Sequence, residues 1–353
     1  MKNVLLVNVD CKWNLALRRL YAYHETKGDN VEMVDVGFGF YKHNKREVID
    51  GRGFDIAYVS NIFEANAYNV DVYGCEDVRY GGIGSRNPDL KLPCEVELTP
   101  PKYFKDEDTA HGYITRGCIR NCYFCKVPKH EGKLAPYRNV ADVVGDFKKA
   151  IFMDNNILAY EGHYEALAWL IEHGIKCQFN QGLDLRLVND RNLELLSRLN
   201  YMGEYGFALD DVSYMKPFEK KLEQAKRYIT KPWKMKFFVY VNANMEPQDT
   251  VKRVKWLKEH ECLSYIMRDQ NVYGSEHERF YTDIAAYCNQ PAIFKKMDFE
   301  TYIKRRHPNN AQRQAISNAI WNGEEPTICE SCWQPTLELF VNDENALCES
   351  CYC

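Results

Sequence analysis

The sequence lacks any apolar run near the about 18 uninterrupted residues that a membrane span requires. Its opening strand-like run, VLLVNV, meets Asp10 before any small-residue cleavage site. No membrane partner and no secretory leader are expected, and the expected compartment is the cytoplasm. An excess of charge of one sign is missing too: 46 Lys and Arg against 50 Asp and Glu leave a formal net charge of −4. That excludes a global field for nucleic acid or anionic lipid, so any such binding must come from a local patch. Nor is the chain poor in aromatics: at 13% aromatic and 45% hydrophobic it is expected to fold rather than to run through long disorder.

What it has in plenty is cysteine, 14 in 353 residues, eight of them in two clusters at 118–125 and 329–353. In a reducing compartment such thiols point to metals or catalysis rather than to a disulfide framework. The length exceeds one ordinary core and predicts two or three domains.

VLLVNV, VEMVDV and DIAYVS read as strands, and NLALRRLYAYHETKGDN has helical apolar spacing with a stop at Gly28. Residues 1–105 are therefore expected to form a doubly wound α/β domain. It would end in the Gly- and Pro-rich linker YGGIGSRNPDLKLPCEVELTPPKYF. Residues 106–290 carry six strand candidates, HGYITRG, KAIFMDN, IKCQFNQ, YMGEYGFALD, MKFFVYVNAN and LSYIMRD, the first five each followed by a plausible helix. That alternation predicts a partial parallel (β/α)6 barrel, with its chemistry at the C-terminal strand ends. Residues 291–353 form a basic helical segment and a four-cysteine module.

The stretch TRGCIRNCYFCKVPKHEGK places Cys118, Cys122 and Cys125 on one loop just beyond the first barrel strand. A structural zinc site wants four ligands, and a cubane cluster also normally takes four thiolates. Three thiolates would leave one iron of a cluster open to a substrate or cofactor. A zinc site with a remote fourth ligand, or thiols with no shared role, is the alternative reading of the same residues.

The CxxxCxxC spacing, with an aromatic before the last cysteine, resembles the radical S-adenosylmethionine (SAM) superfamily over residues 106–270. The resemblance implies a 4Fe-4S cluster on Cys118, Cys122 and Cys125, with SAM chelating the open iron and an electron donor of flavodoxin or ferredoxin type. It places the backbone of Phe124 near the adenine, and Asp154, Asn155 and Asn156 where the family binds the methionine ammonium, although FMDNN departs from the family's Gly-Gly-Glu. A helix cap is the plainer role for these three. Asp210 or Asp211 would meet a ribose hydroxyl or cap a helix. Asn242 and Asn244 would contact adenine or ribose. Gln181, Asp184, Arg186 and Arg268 stand at strand ends, where Asp184 and Arg186 would pair with each other or reach a carboxylate.

GCIRNCYFCKVPKHEGKLAPYR is also similar to the tRNA methylthiotransferases of that superfamily. These carry three further cysteines in the N-terminal domain, and Cys11, Cys75 and Cys94 lie there in this sequence. YVSNIF lacks the second of them, so buried small hydrophobes are expected instead of a cluster. The α/β domain ahead of a barrel resembles the cobalamin-dependent branch as well. No Asp-x-His-x-x-Gly occurs, so cobalamin is not expected, and His24 is taken for a surface histidine of its helix.

Cys329-x2-Cys332 and Cys348-x2-Cys351 pair as metal knuckles, with a zinc ribbon as the leading reading and an auxiliary iron-sulfur cluster as the other. Upstream, Lys295, Lys296, Lys304, Arg305, Arg306 and Arg313 would track a phosphate backbone or form a solvated helix face. The function the resemblance implies is that of a radical SAM enzyme, which cleaves SAM reductively and abstracts a hydrogen atom from its substrate, here a tRNA or other macromolecule; tailoring of a small molecule or peptide, and a non-catalytic metal-binding interaction role, are the alternatives.

Overall fold

The computed structural model describes residues 1–37, 46–231, 233–324, 326–328, 335–336, 340–342 and 345–347. Two compact units emerge, Met1–Gly112 with Arg116–Ala135, and Tyr113–Thr115 with Pro136–Cys353.

In the first unit the apolar run from Val4 to Val7 forms β1 (Asn3–Asn8), whose residues beyond the first are buried on both faces, as suits a central parallel strand. Asn14 caps α1 (Leu15–Thr26) by accepting from the Leu17 amide. There follow β2 (Asn30–Asp35), β3 (Glu47–Asp50), β4 (Ile56–Ser60), β5 (Val70–Tyr73) and β6 (Val78–Gly81). The sheet order is β2-β1-β4-β6, all parallel, with Val4 opposite Val31 on one side and Ile56 on the other.

Pleating divides β1 between two cores. Val4 and Leu6 pack with Leu17 and Leu20 of α1. Leu5 and Val7 pack with Val59 and Val70, beside Ile49 and Val72. This second face is covered by the parallel pair β3–β5, where a doubly wound sheet would carry a helix. The chain between β4 and β5 makes only the 3-10 turn Glu64–Asn66. Asp10 fastens that turn by accepting from the amides of Ile62 and Phe63 and from Asn66 Nδ2.

His24 departs from expectation. It is buried, with Nδ1 2.8 Å from Asp29 Oδ2, because the last turn of α1 leans its ring toward Tyr58 of β4. The unit continues through α2 (Cys94–Leu98) and β7 (Thr109–Gly112). β8 (Thr115–Arg116) precedes the cysteine loop, and α3 (Val127–His130) and β9 (Ala135–Pro136) follow it.

The second unit starts with α4 (Val140–Val144) and alternates strands with helices: β10 (Lys149–Phe152), α5 (His163–Glu172), β11 (Lys176–Phe179), α6 (Asp190–Arg198). Next come β12 (Asn200–Tyr201), β13 (Tyr205–Ala208), α7 (Met215–Lys226), β14 (Met235–Val241), α8 (Pro247–Glu259) and β15 (Leu263–Arg268). β10, β11 and β12 pair in parallel, as do β13, β14 and β15. Each of the six expected strand stretches carries strand residues, the fourth divided into β12 and β13. Phe237, Val239 and Val241 of β14 are fully buried, while Lys236, Phe238 and Tyr240 alternate with them on the more open face.

Four helices follow: α9 (Glu278–Cys288), α10 (Pro291–Lys296), α11 (Phe299–Arg306) and α12 (Ala311–Asn322). α12 stops at Gly323, whose φ of 93° is the left-handed conformation that glycine adopts at no steric cost. Beyond it, Thr327–Ile328 pairs antiparallel with Pro335–Thr336, and Phe340–Asn342 with Asn345–Leu347. Cys329, Cys332, Cys348 and Cys351 lie outside the described residues. The chain is thus an α/β protein with several parallel sheets, and among the described residues no helix is long and apolar enough to cross a membrane.

Candidate functional site

Cys118, Cys122 and Cys125 belong to the first unit, and all three are partly buried and outside any disulfide. Gly117 enters the loop at a φ of 77°, and a Cβ there would meet the Lys133 carbonyl oxygen at 2.3 Å, so only glycine fits. Cys118 N donates to Gly132 O at 3.3 Å and Cys125 N to Cys122 O at 3.0 Å. Arg120 N donates to Cys118 Sγ at 3.3 Å. Lys126 pairs with Glu64.

Phe124 stands edge-on to Tyr123 with ring centroids 5.2 Å apart, and Tyr123 and Ile119 are exposed. Among the described residues no three His, Cys, Asp or Glu side chains are gathered at metal-holding distance. Cys11, Cys75 and Cys94 are likewise outside any disulfide: Cys75 Sγ faces Asp77 O, and Cys94 is exposed at the start of α2.

The other candidates belong to the second unit. After β10 the chain runs through Asp154, Asn155 and Asn156 into the 3-10 turn Ile157–Ala159. Asp154 is fully buried. Its Oδ1 accepts from Thr115 N at 2.6 Å, Thr115 Oγ1 at 2.7 Å and Ile114 N at 3.1 Å, and Oδ2 accepts from Ile114 N at 3.1 Å. Burial pushes this carboxyl up to about 6, against the pull of the Thr115 and Ile114 donors. Asp154 thus caps no helix but anchors the strand that leads, three residues later in sequence, to Cys118.

Asn156 is also buried; its Nδ2 donates to Asp184 Oδ2 at 3.3 Å, and its Oδ1 is buried with no hydrogen-bond partner. An orphaned buried acceptor costs free energy, and it suits a donor brought by a ligand. Asp184 and Arg186 pair with each other, Nε to Oδ1 at 2.7 Å and Nη2 to Oδ2 at 3.1 Å. The Arg186 guanidinium lies 5.2 Å from the Tyr214 ring centre.

Asp210, at the end of β13, is pushed up to about 6 by burial although Arg253 pulls it down. Its neighbour Asp211 takes the capping role, accepting from Ser213 N at 2.8 Å. Asn242 is buried and its Oδ1 accepts from Asn244 N at 2.8 Å, closing a tight turn after β14. Arg268 donates to Thr282 Oγ1, and Gln181 is exposed.

The basic stretch is partly consumed inside the fold. Arg306 and Arg313 both bind Asp283, which leaves Lys295, Lys296, Lys304 and Arg305 for other use.

Sequence reasoning missed two residues. Arg253 is fully buried; its Nη1 donates to Leu209 O and to Tyr240 O, each at 3.0 Å, and so ties the ends of β13 and β14. It sits in a KRVKW run that looks solvated. Its phase with Thr250, Val254 and Leu257, all buried on α8, was the available signal. The second is Glu131, whose carboxylate accepts from Gly117 N and from Arg116 Nε; nothing local marks it.

No protein-family model matches the chain, and no curated protein matches it. Among solved structures it is similar to Streptococcus suis SuiB bound to S-adenosylmethionine, with 12% identity and a TM-score of 0.35. The match covers 52% of this chain and 45% of that one, so the chain spans less than half the length of that protein.

Proposed function

We propose that the chain is a radical SAM enzyme whose three-cysteine loop takes a 4Fe-4S cluster. The observation that carries this reading is that three cysteines, and not four, share one hydrogen-bonded loop outside any disulfide, so that a cluster held there would keep one iron open. The donor set fits the group: soft thiolates on a short segment, with the Arg120 amide directed at one sulfur. The finer architecture that goes with it is a Rossmann-like N-terminal domain and a partial (β/α)6 barrel, supported by the parallel strand and helix alternation from β10 to β15.

When bound, a cluster reduced by the electron donor would supply one electron to the sulfonium of SAM, whose C–S bond would break to give a radical able to take a hydrogen atom from substrate. This chain's residues bind and orient. Asn156 Oδ1, buried and unpartnered, accepts from the methionine ammonium beside Asn155. Asp154, already receiving four short contacts from Ile114 and Thr115, positions the strand instead. Arg186 would meet the SAM carboxylate, Asp210 a ribose hydroxyl and Asn242 the adenosine. Cys329, Cys332, Cys348 and Cys351 hold a structural zinc, or an auxiliary cluster, and the electron donor is of flavodoxin or ferredoxin type.

For the substrate, tailoring of a small molecule or peptide is favoured over a nucleic acid, because Arg306 and Arg313 of the basic stretch are spent on Asp283. Anaerobic reconstitution of the whole chain tests the reading. About four irons at the loop, about one zinc and reductant-dependent 5′-deoxyadenosine are expected, with the product abolished in the C118A/C122A/C125A variant. Product formation by that variant would refute the cluster assignment. A wild-type protein that binds metal yet never cleaves SAM would point to the non-catalytic metal-binding alternative.

A further inference from the structure

We infer that Glu131 is a positioning residue that holds the cysteine loop closed before any metal arrives; the link to a cluster rests on the reading proposed above.

The loop leaves Arg116 and returns at Gly132, and both ends are tied. Glu131 Oε2 accepts from Gly117 N at 3.0 Å and from Arg116 Nε at 3.1 Å, while Cys118 N donates to Gly132 O at 3.3 Å. The carboxylate side chain is only 13% exposed, so both bonds are charge-assisted and poorly screened. Glu131 is itself set by the turn of α3, through its amide bond to Val127 O at 2.8 Å. Gly117 packs against the Lys133 carbonyl at a distance no side chain would allow.

Residues 117–131 therefore form a closed ring with Cys118, Cys122 and Cys125 upon it, and each of the bonds named in its closure is made between protein groups. Holding three ligands on a preformed ring lowers the conformational entropy that metal binding must overcome. The residue acts through the loop backbone and touches neither cluster nor substrate.

Hydrogen exchange on the metal-free, full-length protein tests the inference directly. In the wild type the peptide covering Gly117 and Cys118 should be protected. In Glu131→Ala that protection should fall by about tenfold or more, while the folded signal of β1 and β14 is kept. Glu131→Gln, which retains an acceptor for Gly117 N but loses the charge, should lie between.

After anaerobic reconstitution, iron release to a chelator should be correspondingly faster in Glu131→Ala than in wild type, with the C118A/C122A/C125A variant as the zero. Equal protection of that peptide in wild type and both variants overturns the inference. Retained exchange differences together with no iron on the wild-type loop would sustain the positioning role and refute the cluster reading instead.

Discussion

Arg313 grips Asp283 with two nitrogens, Nε to Oδ2 at 3.0 Å and Nη2 to Oδ1 at 2.9 Å, across thirty residues of sequence. Asp283 is fully buried in α9, and Arg306 Nε, His307 Nε2 and Ser317 Oγ complete its shell. Burial alone would raise this carboxyl; the Arg313 and His307 bonds outweigh it and hold the group below the usual carboxylate range.

Asp283→Asn should therefore leave two guanidinium groups without their counter-ion and destabilise the second unit by about 3–5 kcal/mol at neutral pH. Because the folded value is lowered, the stabilisation is present above the ordinary value of about 3.9 and is lost as pH falls through the folded one. Urea unfolding at pH 7 and pH 3 checks this: the gap between wild type and variant should be smaller at the lower pH.

Asp154 has the opposite sign. Its folded value is raised to about 6, so its contribution is complete below the unfolded value of about 3.9 and is lost as pH rises through about 6. Asp154→Asn does not titrate, so the stability gap between wild type and variant should narrow by about 2 kcal/mol between pH 4 and pH 6.5. Chemical unfolding at half-unit pH steps measures it, and a gap that stays constant would refute the assignment.

Arg253→Met removes the donors to Leu209 O and Tyr240 O and the cation that pulls Asp210 down. A loss of about 3–5 kcal/mol is expected. Carboxyl-carbon NMR should also show Asp210 titrating at still higher pH than in wild type.

The cysteines should separate by reactivity under native, metal-free conditions. Burial pushes the thiols of Cys177 and Cys262 up to about 12 and raises that of Cys288 as well, which makes them poor nucleophiles. Cys94, Cys118, Cys122 and Cys125 are partly or fully exposed and should be alkylated first by iodoacetamide, as read by peptide mass. Labelling of Cys177 as fast as Cys94 would contradict the burial described.

Asn156→Ala tests the SAM contact independently of the cluster. Affinity for SAM should fall by about tenfold in isothermal titration, with iron content unchanged.

What the sequence determined by itself was whatever depends on near neighbours along the chain. Apolar runs made β1 and β14 legible. Helical spacing marked α1 and α8, and the cysteine triad declared itself because its chemistry lies within eight residues. Tertiary structure alone decided which of the polar residues are free to act. Asp154 stands in a stretch that local rules read as a helix cap, yet its oxygens are claimed by Ile114 and Thr115, forty residues away in the chain. Glu131, Arg253, His24 and Asp283 each owe their role to partners outside their own element, as the β3–β5 pair owes its place to the face of β1 that it covers. Hydrophobic periodicity is a property of one segment, whereas the satisfaction of a buried charge or carbonyl is a property of where distant segments meet.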